Sequence, residues 1–314
     1  MHGPEQAKKI IANEKEVLEN VRQFVTTNNV PCDFRFTTTF EVCLTPEFAA
    51  QQAKSMEAFK AAGGNASHVK FHEGQTAREL TRLPGAVCAY EWPAASNHPG
   101  KLTQWILSDA IQRGVRLWTH CPATKMEKNN GKGFRWNVKT PRGTISADTI
   151  IHCTNANAGV LLPELAHLVS ARQGQVHAFV PTDTFSGDKF AHNTMSLRYG
   201  VHNYFSFNQL RDGTILLGGS GIRRPEDLTP SEHKARLSFN DSGYNETTAK
   251  SSSREFLELC SPSSNASDPI RRGEGLKYAW TGTIAVTPDR VPFVGPLEGL
   301  DGQWICAGFN GHGK

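Results

Sequence analysis

The chain has 314 residues, which is long enough for two ordinary domains or one large one. Hydrophobic residues make up 38% and charged residues 20%, so the composition excludes a disordered chain. The formal net charge is +4 without a basic block, and nothing in it calls for nucleic acid as a partner. No apolar run approaches the roughly 20 residues of a membrane-spanning helix, so we expect no membrane association.

Cysteine usage and the first residues together indicate a cytoplasmic protein, with the peroxisome as the alternative location. The seven cysteines are scattered and contain no C-x-x-C, so we expect reduced thiols and no metal site or disulfide framework. Residues 1–5 show no apolar signal region. We therefore interpret the N-x-[ST] sequons at Asn65, Asn245 and Asn265 as chance.

The first third of the chain predicts alternating helices and strands. Apolar residues at three- and four-residue steps predict a long amphipathic helix at the start, with Pro4 at its first position. Period-two alternation then predicts a half-buried strand, and Thr45 is placed to cap the next helix. The predicted elements are a helix over 4–28, a strand over 34–44, a helix over 45–63, a strand over 69–72, a helix over 76–83 and a strand over 86–92.

The middle of the chain has α/β character. We predict a helix over 101–113, a strand over 115–120, and a hairpin of strands 134–140 and 144–147 around a Pro-Arg-Gly turn. A β-branched run over 148–155 predicts a buried strand whose carboxyl end opens on a ligand crevice.

The last 140 or so residues indicate a second kind of structure. Strands near 175–180, 198–207 and 214–218 predict an antiparallel sheet, followed by a helical region within 229–260 and a polar loop over 261–268. Strands over 278–286, 291–294 and 303–307 close the chain.

Three stretches have the composition of ligand-binding turns, and each has an ordinary structural alternative. Residues 153–159 either approach a cofactor through their backbone or form a plain strand-to-helix turn. Asp289, in a Thr-Pro-Asp turn between two strands, either contacts a ligand or only forms the turn. Residues 308–313 hold three glycines after an apolar strand, which lets a backbone lie against a flat or anionic ligand. His312 in that loop is either catalytic or a hydrogen-bonding or surface residue.

Two further patterns favour structural or inert roles. Gly218 to Gly221 is interpreted as a turn, because Pro225 soon follows and argues against a phosphate-binding helix. A hydrolase using Cys153 or Cys306 is disfavoured, because thiols inside apolar strands are usually unreactive.

Taken together, the ordered motifs resemble the D-amino acid oxidase-like superfamily of FAD-dependent oxidoreductases, most closely its fungal members. The resemblance covers essentially the whole chain, and it is the series rather than any one motif that is specific. The motifs are Tyr90–Ala94, Lys101–Leu102, Gly114–Val115, Thr119–Ala123, Thr140–Gly143, Ile151–Ala156, Leu161–Glu164, Gly273–Gly275, Trp280–Gly282, Pro288–Asp289, Pro292–Gly295 and Gly308–Gly313.

The resemblance implies FAD as cofactor and a small-molecule amine or amino acid as substrate. In the family, hydride passes from the amine-bearing carbon to flavin N5, and reoxidation by O2 gives peroxide. Arg198, Tyr199, Tyr204 and Arg223 fall in the region expected to meet a substrate carboxylate, and each is equally consistent with a core or surface position. No catalytic residue is assigned. The cofactor-binding residues that the resemblance implies are Ala123, Thr154, Asn155, Ala156, Asp289, Gly308, Asn310, Gly311, His312 and Gly313.

The expected fold class is mixed α/β, with an incomplete FAD-binding Rossmann-like domain interleaved with an antiparallel-sheet substrate domain. Residues 1–29, 97–172 and 276–314 are assigned to the first domain, and residues 30–96 and 173–275 to the second. The chain contains no family G-x-G-x-x-G segment before its first helix, and Lys314 stands where the family continues with methionine and a helix, so we expect a truncated member. The alternative function is a non-catalytic remnant that acts as an interaction protein and self-associates through exposed sheet edges.

Overall fold

The computed structural model describes residues 3–131, 133–219, 234, 236–260 and 275–311. The helices are α1 Gly3–Thr27, α2 Pro46–Ala61, α3 Gly74–Thr81, α4 Pro99–Gln112, α5 Ala158–Leu161 and α6 Glu246–Cys260. The strands are β1 Arg35–Cys43, β2 Lys70–Glu73, β3 Cys88–Ser96, β4 Lys125–Lys128, β5 Trp136–Thr140, β6 Gly143–Ala147, β7 Ile150–His152, β8 Ser170–Phe179, β9 Thr194–Arg198, β10 Tyr204–Gln209, β11 Ile215–Gly219, β12 Leu276–Val286, β13 Phe293–Pro296 and β14 Gln303–Ala307.

These elements form two compact units, and the mixed α/β class is as predicted. Unit 1 holds Met1–Ile106, Gly174–Ser231 and Ser242–Thr281, and unit 2 holds Leu107–Gln173, Glu232–Asp241 and Gly282–Lys314. This division groups α1 with unit 1. The domain boundaries predicted from the sequence concern which segments bind the cofactor, which the division does not test, so they stay a prediction.

Unit 1 is organised by an eight-stranded sheet with the order β12-β8-β11-β10-β9-β1-β3-β2. Strands β8 to β11 pair antiparallel, as the sequence predicts for this region, and β1 joins them through a parallel pairing with β9. One face of the sheet builds the main core, where Phe179 stacks on Phe256 of α6 with ring centroids 4.2 Å apart. The other face packs α2 over the neighbouring ends of β1 and β3.

Helix α2 shows how local sequence sets these elements. Thr45 is its N-cap, and the Oγ1 atom accepts a hydrogen bond from the backbone N–H of Phe48 at 3.2 Å, as the capping prediction required. Phe48 is buried against Tyr90 of β3, which places α2 on the sheet.

Unit 2 contains two three-stranded sheets, with orders β13-β14-β7 and β4-β5-β6. The predicted hairpin is confirmed as β5 and β6, which pair antiparallel around the turn. In the other sheet β7 and β14 are parallel, and β13 pairs antiparallel with β14. Helix α5 packs on one face of that sheet through Ala158 and Leu162, which contact Ile305 and Ala307.

Two predicted strands were wrong. Residues 115–120 form no strand, because no strand in the described part of the chain pairs with them, and Val115, Leu117 and Trp118 are exposed. Residues 198–207 are not one strand but the hairpin of β9 and β10, because the chain reverses where the backbone N–H of Tyr199 donates to the carbonyl oxygen of Asn203. Strand β4 was missed.

Several predictions fall outside the described residues: the loop over 261–268, Asn265, Ser220, Gly221, Arg223, His312 and Gly313. Among the helices that are described, none has both the length and the apolar character needed to cross a membrane.

Candidate cofactor-binding site

The parallel strands β7 and β14 deliver two loops to one edge of their sheet. Trp304 lies opposite Ile151 in the parallel register, so the two strands end on the same side. The buried side chains of His152 and Gln303 tie the strands together, with Nε2 and Oε1 2.8 Å apart. We call residues 153–157 the β7 loop and residues 308–311 the β14 loop. Ligands of open α/β sheets bind at such carboxyl edges.

The β7 loop begins with a backbone geometry suited to an acceptor-rich ligand. Thr154 is in the right-handed helical region with φ −82°, and Asn155 follows in the left-handed region with φ 45°. Such a right-left pair turns successive backbone N–H groups into one concavity, or nest, that binds anions and carbonyl oxygens. The buried Oγ1 of Thr154 has no hydrogen-bond partner in the described part of the chain. This hydroxyl can therefore still form a hydrogen bond with a ligand.

Asn155 connects the two loops. Its Oδ1 accepts from the backbone N–H of Gly308 at 3.1 Å and of Phe309 at 3.3 Å. The next residue, Ala156, is buried against Val169 and Ala285, which fixes the loop to the unit 2 core. The two loops therefore act as one structural piece.

The β14 loop is stabilised by Asn310 and Thr287. The Thr287 backbone N–H donates to Asn310 Oδ1 at 2.9 Å, and Asn310 Nδ2 donates to Thr287 Oγ1 at 3.0 Å and to the Gly308 carbonyl at 2.6 Å. The Asn310 backbone N–H donates to the Ala285 carbonyl at 2.9 Å. Asn310 adopts φ 54°, a left-handed conformation that asparagine tolerates better than most residues.

Gly308 is required by its surroundings. Its φ is +81°, and an added Cβ would lie 2.7 Å from Thr287 Cγ2. Thr287 is buried, and sequence reasoning missed its role, although it lies beside the Pro-Asp turn that was singled out. The signal that could have found it is a hydroxyl residue at the end of an apolar strand, facing a glycine-rich loop.

The other predicted residues of the site are more dispersed. Gly311 has φ +82° and lies in the β14 loop. Asp289 is exposed, and its Oδ1 accepts from the Val291 backbone N–H at 3.1 Å, which agrees with a turn-forming role. Ala123 lies just before β4, which belongs to the β4-β5-β6 sheet of unit 2. Among the described residues, no hydrogen bond joins Ala123 to the β7 loop or the β14 loop. His312 and Gly313 lie beyond the described residues.

Of the residues considered for a substrate carboxylate, Arg198, Tyr199 and Tyr204 lie in unit 1 and are already engaged, and Arg223 lies outside the described residues. Arg198 Nε lies 3.4 Å from Glu41 Oε2, and the guanidinium stacks over the Tyr204 ring at 4.4 Å from its centroid. Burial raises the pKa of Glu41, and the Arg198 charge only partly opposes this. Tyr199 donates its hydroxyl to Glu255. A ligand carboxylate at Arg198 would therefore have to compete with Glu41.

The structure also shows the surroundings of the glycines at 218 and 219 and of the two cysteines considered for a hydrolase. A Cβ on Gly218 would lie 2.8 Å from Val176 Cγ2, and one on Gly219 would lie 3.0 Å from the Tyr204 carbonyl oxygen, so these glycines allow close strand packing. Cys306 lies within β14 and Cys153 is exposed at the end of β7.

Comparison with known proteins identifies the family. Residues 2–314 match the DAO family, described as FAD dependent oxidoreductase. The chain belongs to this family. Mitochondrial dimethylglycine dehydrogenase of Homo sapiens is 23% identical over 223 residues, which are 67% of this chain and 23% of that protein. Glycine oxidase of Pseudomonas putida is 24% identical over 196 residues, covering 62% of this chain and 44% of the enzyme. The chain thus spans less than half the length of these curated relatives.

The fold is shown by solved structures as well. L-proline dehydrogenase from P. horikoshii superposes with a TM-score of 0.72 at 18% identity, covering 95% of this chain and 73% of that one. At this identity the likeness shows the fold alone.

The described residues fit the family's cofactor. FAD presents phosphate oxygens and ring carbonyls, which are hydrogen-bond acceptors. The nest at Thr154 and Asn155 and the unpartnered Thr154 hydroxyl offer donors at one sheet edge, beside the left-handed backbone of the β14 loop. The assignment of individual residues to cofactor contacts stays a prediction.

Proposed function

We propose that this chain forms the cofactor-bearing part of a flavin-dependent enzyme that oxidises an amine or an amino acid. The observation that carries the proposal is the joining of the β7 and β14 loops through Asn155 at the carboxyl ends of parallel strands, which fixes the nest at Thr154 and Asn155 beside the β14 loop. Family membership supplies the cofactor class.

In this proposal FAD, when bound, supplies the two-electron chemistry, accepting hydride from the substrate carbon next to nitrogen and returning the electrons to O2. In this proposal the chain's own residues hold the cofactor and orient it. Thr154 and Asn155 offer backbone N–H groups in the nest, and Asn155 keeps the β14 loop in place. Asn310 and Thr287 stiffen that loop, so that it meets a flat ligand without reorganising.

Support for the substrate class comes from the relatives. Their names specify glycine, dimethylglycine and L-proline, which share a nitrogen on the carbon that carries a carboxylate. We propose a substrate of the same class for this chain.

The test measures FAD binding by the purified chain and by Asn155→Ala. We expect the wild-type chain to quench FAD fluorescence saturably. The substitution removes the acceptor for two backbone N–H groups, at a cost of about 1–3 kcal/mol, so its affinity for FAD should fall by about fivefold to 150-fold. Asn137→Ala is the matched control, because Asn137 Oδ1 accepts from Ser146 Oγ at 2.7 Å within the β5–β6 hairpin of the same unit.

A wild-type chain without FAD affinity, or an equal loss in both variants, would contradict the cofactor proposal. The substrate part is tested separately, by adding glycine, N,N-dimethylglycine or L-proline to the FAD-loaded chain without O2. Bleaching of the flavin absorbance by at least one of them is expected, and no bleaching by any would refute the substrate class.

A second candidate, an interaction protein without catalysis, is favoured by one observation. The face of the β13-β14-β7 sheet opposite α5 exposes Ile151, Val294 and Trp304, with 63%, 70% and 46% of their surface accessible. Monomeric proteins seldom expose such apolar groups together. The interaction-protein function would be supported if the chain self-associates and has no affinity for FAD.

A further inference from the structure

Cys43 and Cys88 lie directly opposite each other on neighbouring strands. They are the paired residues that end the antiparallel register of β1 and β3. Opposite residues of an antiparallel pair have Cα atoms about 4.5–5.5 Å apart and point to the same face of the sheet. Disulfides need Cα separations of about 4.4–6.8 Å. The register therefore gives these two residues a Cα spacing of the kind that a disulfide spans.

The two side chains also lie in the same buried cluster. Both belong to the cluster in which α2 covers the sheet, beside Phe48 and Tyr90. Burial raises the pKa of both thiols. Among the described cysteines, this is the pair that the strand register places opposite each other.

We propose that Cys43 and Cys88 form a reversible cross-strand disulfide when the folded chain meets hydrogen peroxide. The thiolate of one cysteine attacks a peroxide oxygen, which gives a sulfenic acid and one water. The second thiol attacks that sulfur, the S–S bond forms, and the hydroxyl leaves as a second water. The two sulfurs lose two electrons in total, the peroxide O–O bond takes them up, and both thiol protons end in water.

The disulfide would join β1 and β3 close to the ion pair of Arg198 and Glu41. Cys43 is the register partner of Arg198 on β9, and Glu41 lies two residues before it on β1. Closing the segment between residues 43 and 88 also restricts the unfolded chain, which stabilises the fold. The inference does not depend on the proposed function, because the oxidant is added; the proposed reaction would be one source of peroxide.

The experiment treats the folded 314-residue chain with hydrogen peroxide, blocks the remaining thiols with iodoacetamide, and maps tryptic peptides without reduction. We expect peptides 36–54 and 83–101 to appear as one linked species, two hydrogen atoms lighter than their sum, which dithiothreitol separates. Because the raised pKa leaves little thiolate, the linking rate should increase about tenfold for each pH unit between 7 and 9. The unfolding temperature should rise by about 5 °C or more.

Matched variants separate this pair from buried thiols in general. Cys88→Ser should abolish both the link and the thermal shift. Cys260→Ser should keep both, although the Cys260 thiol is equally buried and burial also raises its pKa. Recovery of the two thiols as sulfinic or sulfonic acids on separate peptides would overturn the proposal. So would unmodified thiols after prolonged peroxide at pH 9, or an undiminished thermal shift in Cys88→Ser.

Discussion

Asparagine carries the unusual backbone geometry of the candidate site. Asn155 and Asn310 both adopt positive φ, and each uses its side chain to bond nearby backbone. Asparagine enters the left-handed region at lower cost than most residues, and its amide supplies both an acceptor and donors. Glycine would supply the same φ but not these bonds. The loops are therefore set by side chains as well as by backbone freedom.

Replacing Gly308 by alanine should destabilise the chain by about 1–3 kcal/mol. The added Cβ would lie 2.7 Å from Thr287 Cγ2, and alanine is strained at φ +81°. Gly299→Ala is the control, because Gly299 has φ +75° but an added Cβ meets nothing within 4 Å. Urea denaturation of both variants measures the difference. Equal losses would show that backbone strain, and not the contact with Thr287, sets the cost.

Sequence reasoning could select the residues of the two loops but not their connection. Asn155 ends an apolar run in small polar residues and Gly308 opens a glycine-rich stretch, and the resemblance implies both as cofactor-binding residues. Their hydrogen bond joins positions 153 residues apart, and no local pattern encodes it. Thr287 was missed for the same reason, since its role depends on the distant Asn310.

At the scale of elements, α6 and β8 enclose a polar cluster. Gln175 Nε2 donates to the Asn245 carbonyl at 3.0 Å just before α6, and Gln175 Nε2 and His177 Nε2 lie 2.8 Å apart. His177 is fully buried, and burial lowers its pKa to about 4. The folded chain therefore favours the neutral form of this imidazole.

This cluster predicts a loss of stability in acid. Above about pH 6.5 His177 is neutral in both states. Between about pH 6.5 and 4 the unfolded chain binds a proton that the folded chain does not, so about 3 kcal/mol of unfolding free energy is lost as pH falls. His177→Gln should flatten the pH dependence in this window, measured by urea denaturation at several pH values. Exposed His167 provides the control variant His167→Gln. An unchanged slope in His177→Gln would contradict the assignment.

Element prediction succeeded where period and caps agreed, and failed where strand pairing decided. The amphipathic pattern of α1 and the Thr45 cap of α2 are local, and both are confirmed. The apolar run at 115–118 has strand propensity, yet a strand needs a neighbour to pair with. The 198–207 run reads as one strand because the turn between β9 and β10 is short and carries no proline.

At the scale of the whole molecule, the β13-β14-β7 sheet leaves an apolar face uncovered. Trp304 is opposite Ile151, and Val294 is opposite Cys306, so these side chains share the sheet face that α5 does not cover. With a net charge of only +4, electrostatic repulsion offers little protection against contact between copies.

We therefore expect the chain to self-associate through this face, with a light-scattering mass that rises with protein concentration. Val294→Lys should lower that mass towards the monomer, because burying a lysine in an apolar contact is costly. Val160→Lys is the control: Val160 is 64% exposed, close to Val294 at 70%, but lies on α5 on the other side of the sheet. If both variants reduce association equally, general charge repulsion explains it. A wild-type chain that stays monomeric at every concentration would exclude the contact.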